Sequence, residues 1–234
     1  MRAVQMTATG GPEVLVPADL PDPRPGPGEL LVDVAVAGVN YIDTYHRRGV
    51  YPVDLPLVPG QEGAGRVAAL GGGDTGGFAV GDRVVWANIP GGYAERAVVP
   101  VEAAVAIPDA ISDDVAVGAY LQGMTAHFLV SDCAPAGPGD TVLVHAAAGG
   151  VGLLLTQLAT ARGARVLGIV STAEKAELVR AAGAAEELAA GPREDVATEL
   201  LDVEWELPRR LARIEQDGDA CRANEIVGWC NVRV

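Results

Sequence analysis

The hydrophobic pattern of the chain changes character part-way along. Through the first 118 residues, short apolar, β-branched runs are cut by glycine and proline: Ala3–Met6, Leu30–Val39, Gly65–Leu70, Arg83–Ala87 and Ala94–Val99. Runs of this length between turn formers predict strands. Turn signals recur at Pro21–Gly28, Pro56–Gly60, Gly71–Gly77 and Pro90–Gly92. Short strands at such spacing predict a small, partly open barrel. From Asp113 to Phe128 the pattern turns helical. A boundary is expected inside that helix, near residues 115–121.

Beyond it the pattern is that of a β-turn-α-β unit. Thr141–Ala147 is an apolar run after a Gly-Asp turn and predicts a buried strand. A glycine cluster follows, then a predicted helix over Leu153–Arg162, with Gly163 at the position that closes helices. Arg165–Val170 predicts the second strand. A tight turn at a helix N-terminus aims backbone N–H groups and the positive helix end at an anion. The spacing is a variant of the dinucleotide fingerprint G-x-G-x-x-G. Ala147 takes the first glycine place, and Gly149 and Gly152 the other two. Gly149 would let a pyrophosphate approach, and Gly152 would let the helix pack on the strand. The candidate cofactor-binding stretch is Ala148, Gly149, Gly150, Val151, Gly152 and Leu153. A ligand-free glycine turn is the competing reading; the flanking strand and helix weigh against it.

The end of the second strand selects the nucleotide. A site for NAD usually places Asp or Glu about 20 residues after the glycines. Ser171 and Thr172 stand there instead, with Lys175 one turn into the next helix. No carboxylate repels a 2′-phosphate, two hydroxyls can donate to one, and an ammonium can neutralise it. This favours NADP(H). Lys175 is the one lysine among 17 basic residues. The next helix is expected over Ala176–Ala182, ending at Gly183. Residues 185–190 carry two glutamates and read as a poor strand.

Composition narrows the partners. With 31 acidic against 17 basic residues the net charge is −14, which argues against nucleic acid or an anionic membrane. Three widely spaced cysteines, Cys133, Cys221 and Cys230, suit a reducing compartment. No apolar run is long enough to span a bilayer, and the N-terminus lacks a leader-like core. A cytoplasmic location is expected.

A β-rich first domain followed by a dinucleotide unit resembles the medium-chain dehydrogenase/reductase superfamily. Four stretches are similar to its NADPH:quinone oxidoreductase (zeta-crystallin-like) family. They are Gly139-Asp140 with Leu143, Ala147–Gly150, Gly152 and Gln157; Gly38–Tyr45 with Arg47, Gly49, Tyr51 and Pro52; Pro59–Gly65; and Gly123–Ala126. Thr160 departs from the basic residue usual there. The resemblance covers roughly residues 1–198. It implies an α/β fold with a β-rich part: a GroES-like partly open barrel over 1–118, then an incomplete Rossmann-type parallel sheet over 119–198. From about Leu200 the resemblance stops, leaving a divergent tail, 199–234, of uncertain fold. The family's remaining strands, dimerising edge strand and closing helix are not expected here, so a homodimer would lack its usual edge.

The resemblance also implies roles. Asn40 and Tyr45 would line the cleft beside the nicotinamide, with Tyr45 able to donate a proton or hydrogen bond. Tyr41, Asp43 and Thr125 would contact the cofactor, Asp43 by holding the Asn40–Tyr45 loop and Thr125 at the nicotinamide ribose. Packing under a loop competes for Tyr45 and Tyr51, and a helix N-terminal hydroxyl for Thr125. Arg47 could steer an acceptor or a phosphate. Glu62 receives no catalytic role and could orient Arg66 or a turn. His46 is expected in a loop and His145 in the buried strand.

Zinc is not expected. A catalytic zinc needs about three ligands and a structural one four. Zinc-dependent members of the superfamily have Cys where Asn40 stands and His where Gln61 stands. The activity implied is zinc-independent transfer of a hydride from NADPH to a quinone or α,β-unsaturated carbonyl. The alternative is a non-catalytic chain that keeps nucleotide binding or serves in an interaction.

Overall fold

The computed structural model describes residues 1–189. Expectations for the tail, and for 190–198, lie outside the described residues. The chain divides into two compact units between Leu121 and Gln122.

The first unit is β-rich. Strands β1 (Arg2–Gln5) and β2 (Val16–Asp19) form an antiparallel pair. A five-stranded antiparallel sheet follows, built from β3 (Glu29–Ala37), β4 (Glu62–Leu70), β5 (Arg83–Ala87), β6 (Arg96–Pro100) and β7 (Ala104–Ala106). Its order is β6-β3-β4-β5-β7. Alternation places Leu30, Val32, Val84, Trp86, Ala97 and Val99 in one buried cluster. The intervening Ala64 and Val85 face a second cluster with Ile107, Ala116 and Val117. This is the side-chain period of two, sending successive residues to opposite faces. The pairing of β3 with β4 slips twice, between Leu31 and Val32 and between Val34 and Val36. Such bulges increase the local twist of a sheet.

Between β3 and β4 lies a helix, α1 (Tyr41–Arg48). The sequence reading made this segment a loop. Asn40, extended at φ −116°, is its N-cap. Asp43, three residues on, accepts from the Asn40 backbone N–H at 3.0 Å. Gly49 ends it at φ +73°, with His46, Arg47 and Arg48 in the last turn. Caps at both ends and charges of the right sign stabilise this short helix. His46 is therefore helical, not in a loop.

Helix α2 (Asp113–Phe128) has the bounds the pattern predicts, and the division between units falls inside it. Its start is fastened to β5: Arg83 donates to Asp113 Oδ1 from Nε (3.0 Å) and Nη2 (2.6 Å), and to the Ile111 carbonyl (2.7 Å).

The described part of the second unit is a three-stranded parallel sheet, order β10-β9-β8, from β8 (Thr141–Val144), β9 (Arg165–Val170) and β10 (Glu186–Ala189). Helices α3 (Gly150–Ala161) and α4 (Ala173–Ala181) connect the strands. Val144, Leu155, Ala159, Val166, Val170 and Val179 share one core with Ala126, Leu129 and Val130. The strand over 186–189 corrects the sequence reading. Its glutamates have partners: Glu186 accepts from Arg165, and Glu187 from Arg180. The first strand also ends earlier than expected, at Val144, so His145 sits half-buried in the following turn.

Candidate functional site

Two groups of candidate residues lie in different units. In the second unit, the turn after β8 is closed by the Gly149 N–H on the Ala146 carbonyl (2.8 Å) and tied to β9 by the Ala147 N–H on the Ile169 carbonyl (3.1 Å). Ala146 adopts φ +49° to make it. Gly149 is the N-cap of α3, extended at φ −78°. The first bond of the helix runs from the Leu153 N–H to the Gly149 carbonyl (2.9 Å). The N–H groups of Gly150, Val151 and Gly152 precede it, and are the donors a helix start offers an anion. The helix thus begins three residues before the predicted Leu153. Gly150 and Gly152 hid its first turn, since glycine is a poor helix former.

Gly152 is buried, and a Cβ there would collide with the Ala146 carbonyl and the Ala147 backbone. Gly149 and Gly150 are exposed. One glycine is thus needed for packing and two leave the backbone open. At the end of β9, Ser171, Thr172 and Lys175 are all exposed. Thr172 is the N-cap of α4, its hydroxyl accepting from the Lys175 N–H at 3.3 Å. Lys175 Nζ donates to Ser171 Oγ at 3.1 Å. The three residues form one polar, cationic patch.

In the first unit, α1 carries Tyr41, Asp43 and Tyr45 behind the N-cap Asn40. Tyr45 sits edge-to-face between Tyr41 and Tyr51, both ring centroids 5.3 Å away. Asp43 is buried. Its Oδ2 accepts from the Asn40 N–H and, at 2.6 Å, from the Tyr93 hydroxyl. Asn40 Nδ2 donates to Glu62 Oε1 at 2.7 Å. Glu62 is fully buried, and engages Asn40 and not Arg66, which donates to the Gly81 carbonyl (3.0 Å). Burial and the bond to Asp43 raise the affinity of Tyr93 for its proton. Asn40, Asp43, Thr44, Arg47 and Tyr93 line a pocket of about 170 Å³. Among the described residues, Asp43 Oδ1 and Arg47 Nε are buried without a hydrogen-bond partner.

Residues 26–109, which span β3 to β7, match the alcohol dehydrogenase GroES-like domain. The chain is 45% identical over 181 residues to a probable quinone oxidoreductase of Schizosaccharomyces pombe, covering 77% of this chain and 55% of that one. It is 43% identical over 204 residues to a quinone oxidoreductase of Pseudomonas aeruginosa, covering 86% and 62%. Among solved structures it resembles a mycobacterial protein in complex with NADPH (50% identity, TM-score 0.79, 82% of this chain and 58% of that one). It also resembles the Escherichia coli quinone oxidoreductase complexed with NADPH (35%, TM-score 0.78, 92% and 63%). The chain belongs to the quinone oxidoreductase family of the medium-chain dehydrogenase/reductase superfamily. It spans somewhat over half the length of these relatives.

In this quinone oxidoreductase family member, Asn40 caps α1, and Tyr41, Asp43 and Tyr45 stand on it. Ala148–Leu153 form the turn after β8 and the start of α3, and Ser171, Thr172 and Lys175 lie at the end of β9 and the start of α4 in the same unit. Thr125 lies half-buried in the interior of α2, not at a helix N-terminus. Sequence reading missed two residues, Glu62 as the partner of Asn40 and Tyr93 as the partner of Asp43. A buried glutamate followed by glycine was a visible signal for the first. Nothing local marks Tyr93, which lies 50 positions from Asp43. No group of three or more His, Cys, Asp or Glu among the described residues could hold a metal ion. No described helix is long and apolar enough to cross a membrane.

Proposed function

We propose that this chain is a zinc-independent, NADPH-dependent reductase that passes a hydride to a quinone or an α,β-unsaturated carbonyl. The observation that carries the reading is the exposed Lys175–Ser171–Thr172 patch at the end of β9, in the same unit as the open glycine turn. The residues fit the nucleotide. Gly149 and Gly150 offer backbone to a pyrophosphate, and Lys175 offers a charge to a 2′-phosphate. Ala148, Val151, Gly152 and Leu153 complete the turn and the first turn of α3. The relatives solved with NADPH support this choice of nucleotide, and the printed names of the curated relatives support a quinone.

NADPH supplies the hydride when bound. The side chains of the chain orient the acceptor and complement the charge that develops on its oxygen. Asn40 is held by a buried carboxylate and Tyr45 between two aromatic rings. Groups fixed in this way need no reorganisation as charge develops. Tyr45 is the candidate donor to the acceptor oxygen. Tyr41, Asp43 and Thr125 are the candidate contacts to the cofactor, and the orphaned Asp43 Oδ1 is an acceptor for a hydroxyl or amide donor. A small-molecule acceptor and a cytoplasmic location accord with the acidic charge and the cysteine usage.

The test is fluorescence titration of the purified chain with NADPH and NADH, followed by 1,4-benzoquinone. Preferential NADPH binding and loss of reduced-nicotinamide absorbance are expected. Binding of neither nucleotide overturns the reading.

A further inference from the structure

Asn40 stands in a set of contacts that reaches well beyond its own helix. A carboxylate accepts hydrogen bonds and donates none. Glu62 Oε1 therefore takes the amide of Asn40 by its nitrogen, at 2.7 Å. An amide held this way cannot turn end for end without losing the bond. Glu62 is fully buried at the start of β4, so the acceptor end of the contact is fixed inside the unit.

The surroundings are shaped to keep Glu62 there. Gly38 is buried, and a Cβ on it would run into the Glu62 side chain. The Gly38 N–H donates to the Glu62 carbonyl at 3.2 Å. Opposite, the Tyr93 ring lies against Gly60, where a Cβ would overlap the ring. The Tyr93 N–H donates to the Pro59 carbonyl at 3.0 Å. From that seat the Tyr93 hydroxyl reaches Asp43 Oδ2, the same oxygen that takes the Asn40 backbone N–H. Side chain and backbone of Asn40 are thus held by two carboxylates, each supported by a different loop.

We propose that Glu62 and Tyr93 are positioning residues: Glu62 sets which end of the Asn40 amide faces the reacting groups, and Tyr93, through Asp43, sets the backbone from which that amide projects. The inference rests on the reductase reading for its catalytic consequence. It does not require either residue to touch cofactor or acceptor.

Glu62→Gln keeps volume and shape but presents an amide whose two ends can exchange, so the one-way hold on Asn40 is lost. The experiment combines turnover with a resonance that does not depend on turnover. In ¹⁵N-labelled wild-type chain, the Asn40 side-chain amide, assigned by its absence in Asn40→Ala, should show two separate, slowly exchanging protons. In Glu62→Gln those protons should move together and exchange faster. In the activity assay, Glu62→Gln should lower kcat by roughly 10- to 100-fold, the scale of a displaced catalytic group, with KM for NADPH little changed. Added to Asn40→Ala, it should cost nothing further, because its effect runs through Asn40. Tyr93→Phe should behave likewise, more weakly. An unaltered Asn40 amide resonance in Glu62→Gln overturns the positioning role. So do additive losses in the double variant, which would mean a purely structural effect. A wild-type chain that binds and oxidises no NADPH overturns the reductase reading instead, while the amide resonance still decides whether Glu62 holds Asn40.

Discussion

The Tyr93 hydroxyl donates to Asp43 Oδ2 at 2.6 Å, joining the first turn of α1 to the segment that leads into β6. Asp43 is buried, and its other oxygen has no partner among the described residues. Removing the hydroxyl leaves the carboxylate with the Asn40 N–H alone. Tyr93→Phe should destabilise the chain by about 1–3 kcal/mol, the cost of breaking a hydrogen bond to a buried charged group. Urea titration followed by circular dichroism measures it. A change below a few tenths of a kcal/mol would show that the bond contributes nothing net.

The same residue gives a pH dependence. Tyr93 holds its proton more tightly when folded, first through burial and then through the bond to Asp43. An unfolded tyrosine loses its proton near pH 10. Above that pH the unfolded state is the one that releases the proton, so stability falls as pH rises. The contribution is complete below pH 10. The wild-type chain should lose stability from about pH 10 upward more steeply than Tyr93→Phe, read as the difference between their melting temperatures at pH 8 and pH 10.5.

Gly152 is needed for packing whatever nucleotide binds. Its Cβ position is already taken by the Ala146 carbonyl and the Ala147 backbone. Backbone cannot swing aside as a side-chain tip can. Gly152→Ala should cost about 1–3 kcal/mol through overpacking and should weaken NADPH binding by shifting the start of α3. At Gly150 the nearest group to an added Cβ is Gln122 Cγ at 3.6 Å, ordinary contact distance. Gly150→Ala should therefore leave stability within about 0.5 kcal/mol. Thermal melts of the two variants side by side separate the roles; equal losses would remove the distinction.

Lys175 is exposed and donates to Ser171, so its substitution should leave the fold unchanged. A charge-assisted contact to a phosphate contributes about 1.5–3 kcal/mol. Lys175→Ala should weaken NADPH binding by roughly tenfold or more and leave NADH binding unaltered. Fluorescence titration with both nucleotides checks this. Equal affinities of wild type and variant for NADPH would end the argument from the strand end.

How much of this was legible in the sequence depended on how local the signal was. β9 and α2 have the bounds their patterns predict, β9 as a short apolar run between Gly163 and the polar Ser171-Thr172, α2 from the paired aspartates that open it. The end of β9 was readable for the same reason, with Ser171, Thr172 and Lys175 adjacent in sequence as in space. α1 was missed although its signals were present: Asn40, Asp43 three residues later, three basic residues in the last turn and Gly49. At eight residues it is too short to show a repeating helical period. β10 was missed because its glutamates look unsuited to a sheet until Arg165 and Arg180 stand beside them. β2 and β7 were missed too; one contains Pro17 and the other is three residues long. Glu62 with Asn40, and Tyr93 with Asp43, are 22 and 50 positions apart. Pairs so distant are set by how β3, β4 and β6 assemble, which no local pattern carries.

His145 gives the opposite pH dependence from Tyr93. It stands in the turn between β8 and α3, half-buried, and burial lowers its affinity for a proton. An ordinary histidine takes up a proton near pH 6.5. Between that pH and its lowered folded value, the unfolded state binds the proton and the folded state does not. Stability therefore rises with pH through this window and is complete above about pH 7. His145→Gln, which keeps a polar side chain without a titrating group, should flatten the loss of stability between pH 7 and pH 5. The turn also carries the Gly149 N–H bond to the Ala146 carbonyl, so protonation at His145 acts on the residue next to Ala146. NADPH affinity should fall over the same pH window in the wild type and less in the variant. Parallel acid losses in the two proteins, in melts and in titrations alike, would assign the acid sensitivity to other groups.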